Sequence, residues 1–336
     1  MSSNMNLHPT APTAKPPTLR VLLADAAVSG KSIIQMDIST AFLNGILEED
    51  VYMTQPPGYE DGTGRVCKLK KSIYGLKKAP RCWYQNLAAV LEEMGFRTSS
   101  CDESLFLKGE GEKLVLFLVY VDEILLFSSS MKEIQNVQQQ LMKNFKCKTL
   151  GEVKYYLGMH VERDLDHRWL KLHQEKFIKE LGEKYEIENE RKVATPLPAE
   201  FKLVKAAEDE GVEAEEQQQF QSLVGSLLYA AVHTRPDISF SVGQLARVVQ
   251  NPLEEQVDAV ERVVKYLNSH PNIGVQYSAS AQVKQKGVEV LKEKGELLGE
   301  GKLEHGNVPW GEGGDLAEEA VRGDWPGAKG CYAAVL

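Results

Sequence analysis

The chain has 336 residues, a formal net charge of -9 and 43% hydrophobic residues. This length predicts about two domains with buried cores, and the negative charge excludes a protein that is basic over its whole surface. The longest apolar run is far shorter than the roughly 20 residues of a membrane helix, and the N-terminus lacks an apolar signal-peptide core. We therefore expect a soluble, intracellular protein without a membrane partner. The five cysteines form no Cys-x-x-Cys pair, which indicates reduced thiols rather than a zinc site or disulfides.

The first elements precede a strong Pro-Pro-Gly break. Residues 1–17 are polar and Pro-rich, which predicts a disordered lead-in. Apolar residues at helical spacing, stopped by Gly30, predict a helix, and β-branched residues then predict a strand with Asp37 near its end. The predicted elements are a helix over 18–28, a strand over 32–38, a helical turn over 40–47 and a short strand over 51–53.

Helices and strands then alternate. The predicted elements are a helix over 79–96, a hairpin over about 104–127, a helix over 131–146 and strands over 155–162 and 169–172. From residue 32 onward the order is strand, helix, strand, strand, helix, strand, which is the split βαβ, ferredoxin-like arrangement. Because the first strand of that arrangement lies beside the central hairpin, we expect Asp37 near Asp122.

The predicted hairpin is the most unusual stretch of the sequence. Twelve nearly continuous apolar positions over 114–127 indicate two strands that are buried on both faces. The turn between them has no Gly, Pro or Asn and instead carries Asp122 and Glu123. Adjacent carboxylates leaving an apolar hairpin repel each other unless a cation or a donor meets them, and a divalent metal is the usual partner. The hairpin tip is therefore the predicted active site, the alternative being an exposed tip with solvated acids.

A local basic segment interrupts the acidic average. Between residues 62 and 91 there is no acidic residue, and seven Lys and Arg side chains fall within 17 positions. Tyr74, Trp83 and Tyr84 are interleaved with them. Basic residues with aromatic neighbours suit a phosphate backbone and stacked bases. The alternative is an ordinary solvated loop and helix start.

The second half of the sequence is mainly helical. Residues 200–216 form an acidic linker, and residues 278–336 are rich in glycine without sustained periodicity, which predicts a poorly ordered, divergent tail. The predicted helices cover 174–187, 217–232, 239–250 and 253–269.

Five motifs, in order and at consistent spacing, resemble the reverse transcriptases of copia-type LTR retrotransposons over about residues 10–277. The first two are Gln-Met-Asp-Ile-Ser-Thr-Ala-Phe-Leu-Asn-Gly at 35–45 and the Lys-Lys-Ser-Ile-Tyr-Gly-Leu-Lys-Lys-Ala-Pro run within 70–83. Tyr-Val-Asp-Glu at 120–123 resembles the Tyr-Val-Asp-Asp hairpin of that family. Residues 150–159 resemble its primer-grip region, and residues 223–238 resemble its downstream connection.

The resemblance implies an α+β fold with a ferredoxin-like polymerase palm, of the right-hand reverse-transcriptase type, followed by a mainly helical thumb and connection. It implies a palm with a remnant of the fingers over 18–172, a thumb-like segment over 173–199 and a connection over 217–277. The implied activity is RNA-directed DNA polymerisation by two-metal nucleotidyl transfer. The implied cofactor is a pair of Mg²⁺ ions, with Mn²⁺ as the alternative. The implied partners are an RNA/DNA template–primer and deoxynucleoside triphosphates.

The resemblance also implies roles for single residues. Asp37 and Asp122 would bridge both metals, the backbone carbonyl of Ile38 would complete one metal shell, and Glu123 would be the third catalytic acid. Phe42 would exclude a ribose 2′-hydroxyl, with Tyr74 and Gly75 beside the incoming nucleotide. The residues expected to contact nucleic acid are Lys70, Lys71, Lys77, Lys78, Arg81, Gly158 and Met159.

The sequence departs from the family pattern at three places. Glu123 replaces the second aspartate, and its extra methylene displaces a carboxylate where an error of about 1 Å can cost on the order of a hundredfold in rate. The basic fingers segment is absent upstream, and no ribonuclease H domain is recognisable. We therefore expect an impaired polymerase that lacks the fingers and ribonuclease H parts of a polyprotein. The alternatives are a catalytically dead nucleic-acid-binding remnant and a metal-dependent nuclease using Asp37 and Asp122.

Overall fold

The computed structural model describes residues 11–187, 191–207 and 210–279. Within these ranges the α-helices are α1 (Pro16–Ser29), α2 (Ala79–Glu93), α3 (Met131–Asn144), α4 (Glu175–Lys184), α5 (Ala214–His233), α6 (Ser239–Ala246) and α7 (Glu254–Ser269). The strands there are β1 (Ser32–Ile38), β2 (Tyr52–Met53), β3 (Cys67–Lys68), β4 (Arg97–Thr98), β5 (Leu105–Lys108), β6 (Val115–Tyr120), β7 (Glu123–Ser128), β8 (Cys147–Glu152), β9 (Tyr155–Tyr156), β10 (Met159–Asp164), β11 (Trp169–His173) and β12 (Gly274–Ser278). No helix of the described residues is both long and apolar enough to cross a bilayer.

A six-stranded sheet organises the first part of the chain. Its strand order is β4-β5-β6-β7-β1-β8, and β1 runs antiparallel to both β7 and β8. The predicted hairpin is confirmed: β6 pairs with β7 in a register that places Tyr120 opposite Glu123. The prediction that the first strand lies beside this hairpin is also confirmed, because Asp37 pairs with Glu123 across β1 and β7.

The sheet is buried on both faces, as the unbroken apolar runs predict. Every residue from Ile124 to Phe127 has 0% exposure, and Val115 to Val119 are at most 3% exposed. One face packs against α2 and α3 through a core that includes Met36, Phe117 and Leu126. Side chains buried on both faces make a sliding register costly, which fixes the positions of the acidic residues at the strand ends.

The strand after α3 is not the predicted one. The prediction placed it over 155–162, whereas residues 147–152 (β8) pair with β1 at the sheet edge. None of the six residues of β8 is buried, so this edge strand has no apolar alternation to reveal it. Residues 155–162 instead supply β9 and part of β10 in a separate four-stranded sheet of order β12-β11-β10-β9. Strands β3, β4, β5 and β12 were likewise not predicted as separate elements.

The prediction of a disordered lead-in over residues 1–17 is wrong for its last two residues, which already belong to α1. The α1 helix begins at Pro16, and the backbone N–H of Lys15 donates to Asp102 Oδ2 at 3.1 Å. Asp102 is 2% exposed and also accepts hydrogen bonds from the Thr18 hydroxyl and from the backbone N–H and hydroxyl of Ser104. A buried carboxylate therefore anchors the start of α1. Residues 1–10 lie outside the described residues.

Helices α4 to α7 share a second apolar core, as their predicted spacing implies. Phe220, Leu227 and Val263 are among its buried members. The predicted acidic linker is partly structured: α5 begins inside it at Ala214, and Phe201 and Leu203 pack against the same core. The apolar residues among the acids explain this packing. Residues 208–209 of the linker, residues 188–190 and the predicted tail from residue 280 onward lie outside the described residues.

A fully buried arginine forms an ion pair in the helical unit with an aspartate whose side chain is 29% exposed. Arg235 has 0% side-chain exposure and donates to Asp237 through Nε at 3.0 Å and Nη2 at 2.8 Å. Its Nη1 donates to the His270 carbonyl oxygen at 2.9 Å, and the Tyr266 hydroxyl donates to Asp237 Oδ2 at 2.9 Å. The bonds to His270 and from Tyr266 join the segment before α6 to the C-terminal end of α7.

The described chain forms two compact units. Among the described residues, the first contains 11–153, 163–170 and 277–279, and the second contains those within 154–162 and 171–276. The boundaries given above for a palm, a thumb-like segment and a connection stay predictions.

Candidate active site

Three acidic residues lie at the place where β1 meets the hairpin. Asp37 is the last residue but one of β1, Asp122 lies in the turn, and Glu123 begins β7. Asp37 lies opposite Glu123 in the ladder, and the Ile38 N–H donates to the Asp122 carbonyl oxygen at 2.9 Å. The structure thus brings together the residues that the sequence placed some distance apart in the chain.

The carboxylates of Asp37 and Asp122 repel each other electrostatically. Burial raises the pKa of Asp122 above its ordinary value, and the negative charge of Asp37 raises it further, while backbone hydrogen bonds from Asp122 and Glu123 oppose the rise. Asp37, Asp122 and Glu123 are all partly buried. This partial burial disagrees with the alternative of a fully solvated tip.

The donor set suits a hard divalent cation. Asp37 and Asp122 offer carboxylate oxygens, which such ions prefer, and a cation would relieve their repulsion. Among the described residues, no three His, Cys, Asp or Glu side chains are grouped to hold an ion by themselves.

An aromatic pair lies beside the carboxylates. The rings of Phe42 and Tyr74 have centroids 5.0 Å apart. Burial raises the pKa of Tyr74, and the charges of Asp122 and Asp37 raise it further, so the phenol lies within their electrostatic range. Residue 75 has φ +92°, which favours glycine, and a Cβ there would meet open space. The backbone at Gly75 is therefore open to a ligand.

Two contacts join the turn that carries Phe42 to the segment of Ser72 and to α2. The Ser72 hydroxyl donates to the Phe42 carbonyl oxygen. Gly45 follows the short 3₁₀ turn that carries Phe42, and a Cβ at this glycine would lie 2.9 Å from the backbone N of Trp83 and would also clash with Ser72. The residue at 45 must therefore be small for these segments to pack.

The predicted basic segment is only partly free of acidic neighbours. Lys70, Lys71 and Lys77 are exposed, but Lys78 Nζ lies 2.7 Å from Glu49 Oε1 and Lys68 Nζ lies 2.6 Å from Asp50 Oδ1. Arg81 is partly buried on α2. Residues 48–50 are all acidic, and this run could have indicated acidic partners for the basic segment from the sequence.

Gly158 and Met159, the predicted primer-contacting residues, belong to the second unit. Met159 is 2% exposed, so its side chain is part of the interior rather than of a surface. Gly158 has φ +76° in the turn between β9 and β10, and the Tyr229 hydroxyl donates to the neighbouring Leu157 carbonyl oxygen at 2.6 Å. Sequence reasoning did not single out this tyrosine as a support of the turn.

Comparison with known proteins agrees with this geometry. A family model described as reverse transcriptase (RNA-dependent DNA polymerase) matches residues 3–199, which is more than half of the chain. A Retrovirus-related Pol polyprotein from transposon TNT 1-94 of Nicotiana tabacum is 37% identical over 265 residues, which is 76% of this chain and 20% of the relative. The corresponding polyprotein from transposon RE1 of Arabidopsis thaliana is 37% identical over 267 residues, covering 79% of this chain and 18% of the relative.

A shorter relative matches over most of its own length. The putative transposon Ty5-1 protein of Saccharomyces cerevisiae is 30% identical over 250 residues, which is 74% of this chain and 80% of that protein. The chain spans only about a fifth of the length of the two plant polyproteins. The chain belongs to the reverse transcriptase (RNA-dependent DNA polymerase) family and is of the kind found in copia-type retrotransposon Pol polyproteins.

Proposed function

We propose that the chain is the RNA-directed DNA polymerase region of a copia-type retrotransposon and that it catalyses nucleotidyl transfer. The observation that carries this proposal is the pairing of β1 with β7, which places Asp37 beside the Asp122 turn in a partly buried position. We further propose that β1, the hairpin, α2 and α3 form a ferredoxin-like palm. The thumb-like segment over 173–199 and the connection over 217–277 belong to the same proposal.

In this mechanism Asp37 and Asp122 would hold two Mg²⁺ ions, with the Ile38 carbonyl oxygen as a further ligand. When bound, the ions supply the charge neutralisation and alignment that phosphoryl transfer requires. Burial raises the pKa of Asp122 and the charge of Asp37 raises it further, and this supports the role because a bound cation would offset both costs of the ionised pair. Glu123 would lie near the same ions, and its longer side chain would displace the carboxylate and lower the rate of nucleotidyl transfer.

The nucleotide would bind between the acids and the basic segment. The Phe42 and Tyr74 rings would form a wall against the sugar that disfavours a 2′-hydroxyl, and the open backbone at Gly75 would let the incoming base pair approach. Lys70, Lys71 and Lys77 would neutralise template phosphates. The template–primer would also contact the turn at Gly158, which is held by Tyr229.

Primer extension on an RNA template with Mg²⁺ tests this proposal. We expect wild-type chain to extend a primer and Asp122→Asn to lose extension by at least a hundredfold while binding template with unchanged affinity. Glu123→Asp should extend faster than wild type, because it shortens the misplaced carboxylate by one methylene. Extension that is equal in wild type and Asp122→Asn would contradict the proposal.

The second candidate is a nucleic-acid-binding remnant without catalysis. The replacement at Glu123 and the exposed lysines favour it together. This candidate predicts that neither wild type nor Glu123→Asp extends a primer, although both bind the template in a salt-dependent way. Binding measured beside extension therefore separates the two candidates.

A further inference from the structure

A buried tryptophan contacts the turn that carries Asp122. Trp83 lies on α2, on the same face as Leu87, and is 1% exposed. Its indole N–H donates a hydrogen bond of 2.7 Å to the Val121 carbonyl oxygen. On its other side the indole packs edge-on against Phe145, with ring centroids 5.1 Å apart. The core therefore fixes the ring, and the ring in turn contacts the hairpin tip.

Val121 has a backbone conformation that its side chain disfavours. Its φ is 58°, in the left-handed region that β-branched residues rarely adopt. A two-residue hairpin turn needs such an angle, and Gly or Asn usually supplies it. A contact from outside the turn is therefore needed to stabilise this conformation, because the sequence of the turn does not favour it.

The turn is held at both of its carbonyl groups. Trp83 donates to the carbonyl oxygen of Val121, and the Ile38 N–H of β1 donates to the carbonyl oxygen of Asp122. The second contact belongs to the strand that carries Asp37, whereas the first comes from a helix on one face of the sheet. The peptide groups on both sides of the Asp122 Cα are thus tied to fixed elements.

We infer that Trp83 is a positioning residue of this site. Its indole N–H holds Val121 in the left-handed conformation and thereby fixes the Asp122 carboxylate beside Asp37. Trp83 acts only through the turn, because its donor is used by a backbone carbonyl and its ring is buried. The effect on catalysis rests on the proposed function, but the hold on the turn is a property of the folded chain and needs no substrate to be measured.

The direct test is the backbone mobility of the turn, measured by ¹⁵N relaxation and hydrogen exchange at the amides of Asp122 and Glu123. Trp83→Phe keeps an aromatic ring beside Phe145 and removes only the indole donor. We expect these two amides to become more mobile and to exchange faster in this variant, because Val121 then leaves the left-handed conformation that its side chain disfavours. Trp169→Phe, the same change on β11, should leave both amides unchanged. Identical relaxation and exchange of the two amides in wild type and Trp83→Phe would overturn the inference.

Two substitutions at Val121 test the same point without touching the core. Glycine adopts positive φ without a steric penalty, so Trp83→Phe should have little further effect on the mobility of the Asp122 and Glu123 amides in a Val121→Gly background. Proline fixes φ near -65°, so Val121→Pro should loosen these amides as Trp83→Phe does, even if the latter fails to fold. A Val121→Pro variant whose Asp122 and Glu123 amides behave as in wild type would overturn the inference.

Primer extension adds the catalytic readout. Trp83→Phe should lower kcat by about tenfold to a hundredfold, the scale expected for a misplaced catalytic group, without changing KM for the template–primer. The loss should shrink in the Val121→Gly background. A change in KM alone would overturn the positioning role. If wild-type chain extends no primer, the proposed function fails, and the NMR relaxation of the turn amides still decides whether Trp83 holds the turn.

Discussion

Asp122 and Asp237 are both partly buried, and their surroundings act on them in opposite directions. Burial and the charge of Asp37 raise the pKa of Asp122. Burial also acts to raise the pKa of Asp237, but hydrogen bonds and charge from Arg235, with a hydrogen bond from Tyr266, lower it overall. The first carboxylate has a neighbour of its own sign, and the second has a partner of opposite sign.

The two carboxylates therefore act on the free energy of unfolding with opposite signs. A repelled pair of carboxylates costs folding free energy and gains it back when a cation binds. A carboxylate that accepts two hydrogen bonds from a buried guanidinium instead loses free energy when either partner is removed. The comparison predicts that substitutions at the two places change stability with opposite signs.

The largest expected effect is on the ion pair between Arg235 and Asp237. Arg235→Ala removes a guanidinium with 0% exposure and leaves Asp237 without its main donor. Because the remaining Asp237 side chain is 29% exposed, we expect a loss of about 1.5–3 kcal/mol in the free energy of unfolding, measured by chemical denaturation. Arg247→Ala is the matched control, because Arg247 is an exposed arginine at the C-terminal end of α6. This variant should stay within about 0.5 kcal/mol of wild type. A loss below about 1 kcal/mol for Arg235→Ala would contradict the claim that the pair of Arg235 and Asp237 stabilises the fold.

The next largest expected effect is on the pH dependence of stability, which should have opposite signs for Asp122 and Asp237. The folded-state pKa of Asp122 is raised, so its ionisation destabilises the fold at neutral pH, and Asp122→Asn should raise the thermal midpoint there. This gain should vanish as pH falls through the raised pKa toward the ordinary value of 3.8. Thermal midpoints from neutral to acid pH measure this dependence.

The folded-state pKa of Asp237 is lowered, so its ionisation stabilises the fold above the ordinary value of 3.8. Asp237→Asn should therefore lower the thermal midpoint at neutral pH, with a cost that shrinks as pH falls below 3.8 toward the lowered pKa. Thermal midpoints that change in the same direction for both substitutions would refute the contrast.

The smallest expected effect concerns the ion pairs on the basic segment. Lys78 and Glu49 are both well exposed, so their pair contributes only about 0.2–1 kcal/mol. Glu49→Gln should raise affinity for template–primer by at most about fivefold, because Lys78 becomes free for phosphate, and the gain should shrink at high salt. Fluorescence anisotropy at two salt concentrations measures this, with Glu110→Gln as the control. Lower affinity in Glu49→Gln would show that Lys78 does not face the nucleic acid.

The sequence was most informative where burial is strong. The apolar runs on both sides of Asp122 allow few alternatives to a buried hairpin, and the order of elements then placed Asp37 beside it. The edge strand β8 was not predicted because it has no buried residue, and its place was given to residues 155–162. Burial patterns therefore identify central strands better than edge strands.

Contacts between distant polar groups could not be predicted. The bond from Trp83 to the Val121 carbonyl and the pair between Lys78 and Glu49 depend on side chains that converge only after the sheet and helices have packed. Periodicity showed that Trp83 lies on an apolar face, but an apolar face does not reveal where an indole N–H points. The unusual turn sequence, without Gly or Asn, was the available hint of an outside support.

The central claim is that Asp37 and Asp122 form one electrostatically coupled pair. The most direct measurement is the carboxyl ¹³C titration of Asp122 in wild type and in Asp37→Asn. We expect a pKa above the ordinary value in wild type and a lower pKa in Asp37→Asn, because one of the two causes of the raised value has been removed. An Asp122 titration that does not change when Asp37 loses its charge would contradict the claim.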